Sequence, residues 1–130
     1  MAENSHPFET PANGADLNPR AKGNRVQLKA VRYAQSFPGV HVLVWRQPAW
    51  FATEQPFDVL VLRDGFWPCF VEVRANQWRT RRASTVELAG LPGEGYHKHI
   101  WRFRNGQATP EIREWSGSAW LLKDSPWDNE

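Results

Sequence analysis

At 130 residues and 41% hydrophobic side chains, the chain is long enough to form one compact domain and too short for two. The single cysteine, Cys69, excludes an intrachain disulfide, and no segment reaches the roughly 20 apolar residues that a membrane helix requires. These features predict a soluble, cytoplasmic protein with no membrane partner.

The formal net charge of +2 conceals a strong segregation of charge along the chain. Residues 20–104 hold 14 Lys and Arg against 6 Asp and Glu, a net charge of +8. Residues 1–19 and 105–130 hold 2 Lys and Arg against 8 Asp and Glu, a net charge of −6. A basic body favours contact with a phosphate backbone, because each neutralised phosphate releases counterions. The alternative is a solvated surface that is merely rich in arginine.

The chain divides into a disordered polar arm at residues 1–18, a single domain at residues 19–122 and an acidic tail at residues 123–130. The first predicted element is a basic helix that ends before Pro38-Gly39. Its apolar stripe, at helical spacing, comprises Val26, Ala30, Tyr33, Ala34 and Phe37. Its cations on other faces are Arg25, Lys29 and Arg32.

Strands are predicted over most of the remaining chain, with turns at Asp64-Gly65 and Asn105-Gly106. Ser84-Thr85-Val86-Glu87 has the form of a capping box, so a short helix is predicted to follow it. The predicted strands cover residues 40–46, 59–62, 69–74, 99–104, 110–115 and 119–122. The continuous apolar run at 59–62 predicts a central strand that is buried on both faces. This order predicts an α+β fold with a mixed central sheet and an N-terminal basic helix.

Two acidic residues stand on adjacent predicted strands. Asp58 precedes the apolar strand, and Glu72 lies in the middle of the next one, where an acid has no packing role. In a hairpin that turns near Asp64-Gly65, the residues opposite Glu72 lie near the start of the first strand, so Asp58 can approach it. Neighbouring carboxylates repel unless a cation lies between them, and oxygen ligands without a matching His/Cys set favour Mg²⁺ or Mn²⁺.

The residues around this pair resemble a known motif. Pro56-Phe57-Asp58-Val59-Leu60-Val61, followed by Val71-Glu72-Val73-Arg74, resembles the signature of the PD-(D/E)XK nuclease superfamily, in particular its Holliday-junction-resolvase-like and restriction-endonuclease-like domains. The basic helix and the helix–strand–strand–strand order match that core as well. The resemblance implies a restriction-endonuclease-like core, a Mg²⁺- or Mn²⁺-dependent DNA endonuclease, and a homodimer acting on branched or single-stranded DNA. It assigns metal binding to Asp58, Glu72 and the backbone carbonyl of Val73.

One residue departs from the family pattern, because Arg74 stands where the family has its motif lysine. Arginine cannot act as a base, but it can bind a phosphate and stabilise the transition state, so Arg74 joins Asp58 and Glu72 as an expected catalytic residue. Alternatively, Arg74 or Arg63 forms an ordinary ion pair with Glu72, and Asp58 caps a turn.

Two other functions stay open at this point. One is a nucleic-acid-binding module whose nuclease site is degenerate. The other is an aromatic-rich protein-interaction domain whose basic surface is incidental.

A basic, tryptophan-containing segment follows the acidic pair directly and suits phosphate contact with base stacking, although a mobile solvated loop is the alternative. The predicted nucleic-acid contacts are Arg25, Lys29 and Arg32 of the helix and Gln77, Trp78, Arg79, Arg81 and Arg82 of this segment. Among the eight tryptophans, Trp50 and Trp78 are the best stacking candidates.

His97 and His99 are two residues apart and therefore point to the same side of a strand. They lack a clear third and fourth zinc ligand in the sequence. We expect them, with Lys98, Arg102 and Arg104, to extend the basic surface.

Overall fold

The computed structural model describes residues 8–9, 22–45, 56–76 and 83–127, which contain two helices and seven strands. The elements are, in chain order, β1 (Phe8–Glu9), α1 (Lys22–Gln35), β2 (Val40–Trp45), β3 (Val59–Arg63), β4 (Cys69–Ala75), α2 (Ala83–Gly90), β5 (His97–Phe103), β6 (Glu111–Trp115) and β7 (Trp120–Lys123). The predicted α+β class with a mixed sheet and an N-terminal helix is confirmed.

The seven strands form one sheet whose spatial order follows the chain order. Neighbouring strands are antiparallel except β4 and β5, which run parallel and are connected through α2. Parallel neighbours require such a crossover, whereas antiparallel neighbours need only a short turn. Gly65 and Gly106 in the two predicted turns have φ angles of +83° and +79°, which glycine adopts without steric cost.

One face of the sheet packs against α1. Ala30 and Ala34 of the predicted apolar stripe are fully buried, and Val26, Tyr33 and Phe37 pack against the same core. The sheet contributes to this core Val42, Val44, Val59, Val61, Cys69, Val71, Trp101, Phe103 and Ile112. The buried face of α1 is therefore the one that the 3.6-residue period predicts.

The opposite face of the sheet carries α2. Leu88 of α2 and Ile100 of β5 are fully buried and lie outside the core that α1 covers. The Lys98 ammonium donates to the carbonyls of Ala89 and Leu91 at 2.8 and 2.6 Å. These bonds satisfy carbonyls that the end of a helix leaves without partners, so they fix the end of α2 to β5.

Some local features differ from the sequence-based expectation. Within β3, Val59 and Val61 are fully buried, but Leu60 and Leu62 keep partial exposure, so the strand is not buried equally on both faces. Strand β1 lies in the segment expected to be a disordered arm. Trp127 lies in the expected tail, yet it is 2% exposed and its ring is 5.8 Å from that of Phe37. A two-residue strand and a single buried tryptophan produce no periodic pattern of apolar residues, so the sequence does not predict them.

Neither helix within the described residues is long and apolar enough to cross a lipid bilayer.

Candidate functional site

Asp58 lies at the point where the ladder between β3 and β4 ends. The last paired residues are Val59 and Val71, and the backbone amide of Asp58 donates to the carbonyl of Val71 at 2.8 Å. The next amide of β4 that points towards β3 is that of Val73. It donates a hydrogen bond to the Asp58 side chain, with 2.7 Å between the Val73 nitrogen and Asp58 Oδ2. The carboxylate thus takes the place of a backbone acceptor and is held against the Glu72-Val73 segment.

Asp58 and Glu72 belong to the same face of the sheet. Val59 and its partner Val71 point into the core under α1, so alternation assigns Asp58 and Glu72, one residue away from each, to the other face. Arg63 lies on the α1 face, where its guanidinium stands 4.8 Å from the Phe66 ring centroid. Glu72 is therefore not paired with Arg63.

Glu72 is a buried carboxylate with three hydrogen-bond donors. It is 3% exposed. Its Oε1 accepts from Arg74 at 3.3 Å and from the Thr85 hydroxyl at 2.8 Å, and its Oε2 accepts from the Ser84 hydroxyl at 2.5 Å. The two hydroxyls belong to α2, so this carboxylate joins the helix to the centre of the sheet. The capping-box prediction gave Ser84 a different role, because α2 begins at Ala83 and the Ser84 hydroxyl is directed to Glu72.

The two oxygens of Glu72 differ in what they can still bind. Each carboxylate oxygen has two lone pairs. Among the described residues, both lone pairs of Oε1 have donors, whereas Oε2 accepts only from Ser84. One lone pair of Oε2 can therefore accept a cation without the loss of an existing bond.

Arg74 is held by the protein itself. Its side chain is 2% exposed, and its Nη2 donates to both Glu72 and Thr85. The predicted role of Arg74 as a direct phosphate ligand does not match this burial. In the observed arrangement Arg74 neutralises and orients Glu72.

The backbone of Val73 faces Asp58. In a strand the N–H and C=O of one residue point to the same side. Because the Val73 amide binds Asp58, its carbonyl also lies on the β3 side of β4. Asp58, Glu72 Oε2 and the Val73 carbonyl thus offer three oxygen atoms where the β3–β4 ladder ends, and oxygen is the ligand type that hard divalent cations prefer.

The basic helix lies on the other side of the sheet from Glu72. Arg25, Lys29 and Arg32 follow an i, i+4, i+7 spacing and form one stripe of α1, of which Arg25 and Arg32 are exposed. The structure therefore does not bring this stripe together with Glu72 and Arg74. The other predicted nucleic-acid contacts, Gln77, Trp78, Arg79, Arg81 and Arg82, lie outside the described residues, as does Trp50.

The structure also forms a cluster that the sequence does not reveal. His97 Nδ1 and His99 Nε2 lie 2.8 and 3.0 Å from the two carboxylate oxygens of Glu114, and these three residues have ligand atoms within 4.8 Å of one another. His99 and Glu114 are paired across β5 and β6. The cluster lies on the α1 face, opposite to Glu72. A correct β5–β6 register would have been needed to identify Glu114 as the third member.

Hydrogen bonds define the proton positions in this cluster. Burial lowers the pKa of His99, although its contact with Glu114 acts in the opposite direction, so the ring is neutral at pH 7. The Trp101 indole N–H donates to His99 Nδ1 at 3.1 Å. The single proton of His99 is therefore on Nε2, which donates to Glu114.

The Glu114 carboxylate also accepts several hydrogen bonds. Burial raises its pKa, but hydrogen bonds from His97, His99 and the Lys123 ammonium outweigh this and hold the pKa of Glu114 well below its usual range. A metal on His99 Nε2 would move the His99 proton to Nδ1, where it would face the Trp101 N–H. It would also compete with Lys123 for Glu114. The donor distances suit a metal, but the proton arrangement suits a closed hydrogen-bond network.

Comparison with protein-family models, curated proteins and solved structures gives no significant match for this chain. The function is therefore inferred from the residues described above.

The buried Glu72–Arg74 pair generates a stability prediction. Glu72→Gln removes one charge of a pair in which both side chains are almost fully buried, so we expect the free energy of unfolding to fall by about 3–5 kcal/mol. Glu111→Gln is the matched control, because Glu111 is 37% exposed and pairs with the arginines Arg102 and Arg104, and it should cost about 0–1 kcal/mol. Urea denaturation measures both. A loss below about 1 kcal/mol for Glu72→Gln would contradict the structural role of this pair.

The neutral, buried His99 generates a pH prediction. Its pKa is lower in the folded than in the unfolded protein, so its contribution to stability is complete above the unfolded pKa of about 6.5 and is lost as the pH falls towards the folded value. Between pH 7.5 and 5.5 we expect the free energy of unfolding to fall by at most about 1.4 kcal/mol per pH unit from this group. Glutamine does not titrate, so His99→Gln should flatten the dependence of the free energy of unfolding on pH. An unchanged pH dependence would show that His99 is not its source.

Proposed function

We propose that this protein is a metal-dependent phosphodiesterase that cleaves DNA at the Asp58–Glu72 site. The observation that carries the proposal is the hydrogen bond between Asp58 Oδ2 and the Val73 amide, which holds a second carboxylate beside Glu72. Two acids and a backbone carbonyl at one strand end form an oxygen-rich donor set, for which Mg²⁺ and Mn²⁺ are the fitting cations.

The arrangement of the elements supports the same proposal. The helix–strand–strand–strand order on which the nuclease resemblance rests is present as α1, β2, β3 and β4. The two acids of the motif are on the same face of the sheet, Asp58 directly before β3 and Glu72 within β4. A restriction-endonuclease-like core is therefore part of the proposal.

The residues of the chain have distinct roles in this proposal. Asp58, Glu72 and the Val73 carbonyl would hold the cation, which when bound supplies Lewis-acid activation of water and stabilises charge on the phosphate. Arg74 is a positioning residue whose guanidinium lies 3.3 Å from Glu72 and orients its carboxylate. Ser84 and Thr85 fix the same carboxylate from α2.

A second function is favoured by one observation. Glu72 already accepts three hydrogen bonds and its Arg74 partner is buried, so the acidic pair is stable without a cation. A nucleic-acid-binding module that has lost catalysis would retain these contacts. In that case, the basic stripe of Arg25, Lys29 and Arg32, of which Arg25 and Arg32 are exposed, would provide salt-sensitive binding.

Asp58→Asn tests the catalytic proposal, because asparagine keeps an oxygen for the Val73 amide and removes only the charge. We expect Mg²⁺- or Mn²⁺-dependent cleavage of DNA to fall by more than about 100-fold, since even indirect metal contacts are worth 10–100-fold. Asp64→Asn, the same change in an exposed turn, should cleave as the wild type does.

The substrates are duplex, single-stranded, flap and branched DNA, each assayed with both metals. Equal cleavage by Asp58→Asn and wild type would exclude this site. Salt-sensitive binding without cleavage of any substrate would favour the binding module.

A further inference from the structure

The sheet face that carries Glu72 continues past α2 onto β6 and β7. Paired residues of neighbouring strands point to the same face. The register therefore places Glu72, Ile100, Arg113 and Leu122 in one row across four strands. With neighbouring strands about 4.8 Å apart, the backbone of Arg113 lies roughly 10 Å from that of Glu72. The candidate metal site and the far edge of the sheet thus lie on the same side of the sheet, and α2 covers Glu72 and Ile100 between them.

Two tryptophans stand on this surface at the β6–β7 hairpin. Trp115 and Trp120 are paired across the strands, their ring centroids are 5.3 Å apart, and both are partly exposed. Leu122 beside them is 67% exposed. We call Arg113, Trp115, Trp120 and Leu122 the β6–β7 face. It presents aromatic surface to solvent beside a cation.

The charges around the β6–β7 face favour an anionic ligand. The strand positions of β5–β7 on this side of the sheet carry the cations Lys98, Arg102 and Arg113 and a single acid, Glu111. Glu111 is already neutralised, because its Oε1 lies 2.5 Å from Arg102 and 2.8 Å from Arg104. The Arg104 side chain, directly after the end of β5, is 58% exposed.

We propose that the β6–β7 face binds single-stranded nucleic acid, with bases stacked on Trp115 and Trp120 and phosphates near Arg113 and Arg104. Aromatic rings interleaved with arginines suit a single strand, because every unpaired base offers a face for stacking. A duplex keeps its base faces stacked internally. This inference rests on the proposed function and names its substrate class, a strand end or flap that passes beside α2 towards Asp58.

The test measures fluorescence anisotropy of a labelled single strand of about 16 nucleotides, a length that fits known single-strand sites, and of the matching duplex. EDTA is present, so no cleavage occurs. We expect the single strand to bind more tightly than the duplex. Trp115→Leu and Trp120→Leu, which keep apolar bulk but remove the stacking ring, should each weaken its binding by about 5- to 100-fold.

Trp67→Leu is the matched control. Trp67 is the most exposed tryptophan of the described residues, at 59%, and it stacks on His97, on the opposite face of the sheet. Its replacement should leave single-strand binding unchanged. Arg113→Gln, which keeps both rings, should lower the slope of log affinity against log salt by about 1. A thermal melt of each variant shows whether the hairpin remains folded.

The outcomes separate this inference from the proposed function. Equal binding by wild type and folded tryptophan variants, or tighter binding of the duplex, would overturn the role of the β6–β7 face even if DNA is cleaved. If the single strand binds in a tryptophan-dependent way but no substrate is cleaved with either metal, the binding role of the β6–β7 face is supported. Only the catalytic proposal is then overturned.

Discussion

The buried carboxylate of Glu72 is the interaction on which the rest of this structure depends. An acid in the centre of a sheet is stable only when its charge is balanced and its oxygens have donors. Arg74 supplies the charge, and Ser84 and Thr85 supply hydroxyl donors from α2. These contacts dock α2 on the parallel pair of β4 and β5. Among the described residues they leave one lone pair of Glu72 Oε2 without a donor, one residue before the Val73 amide that donates to Asp58. Structural and proposed catalytic roles therefore meet in one side chain.

Local and short-range patterns in the sequence predict much of this arrangement. The 3.6-residue period identifies the buried stripe of α1, and the turn at Asp64-Gly65 fixes the β3–β4 hairpin. The turn of a hairpin determines which residues pair, and the pairing determines the face on which each side chain lies. That register brings Asp58 beside β4, the strand that carries Glu72. Strand alternation also separates Glu72 from the core under α1. The acidic pair could therefore be identified before the fold was known.

Contacts that depend on packing between distant elements could not be predicted in the same way. The position of Ser84 and Thr85 over Glu72 requires the docking of α2, which no local pattern specifies. The approach of Glu114 to His97 and His99 requires the β5–β6 register, which the long connection at residues 104–110 leaves open. The burial of Arg74 follows from the same docking, so its sequence motif indicated a phosphate ligand where the structure has a partner of Glu72.

The proposed function requires a divalent cation at the end of the β3–β4 pair. Substoichiometric Mn²⁺ broadens the NMR signals of nearby amides, so a ¹⁵N–¹H spectrum locates the ion directly. We expect the amide signals of Asp58, Glu72 and Val73 to broaden first, and we expect Asp58→Asn to abolish this effect. Broadening that begins at His97 and His99, on the opposite face, or that is equally weak along the whole chain, would contradict it.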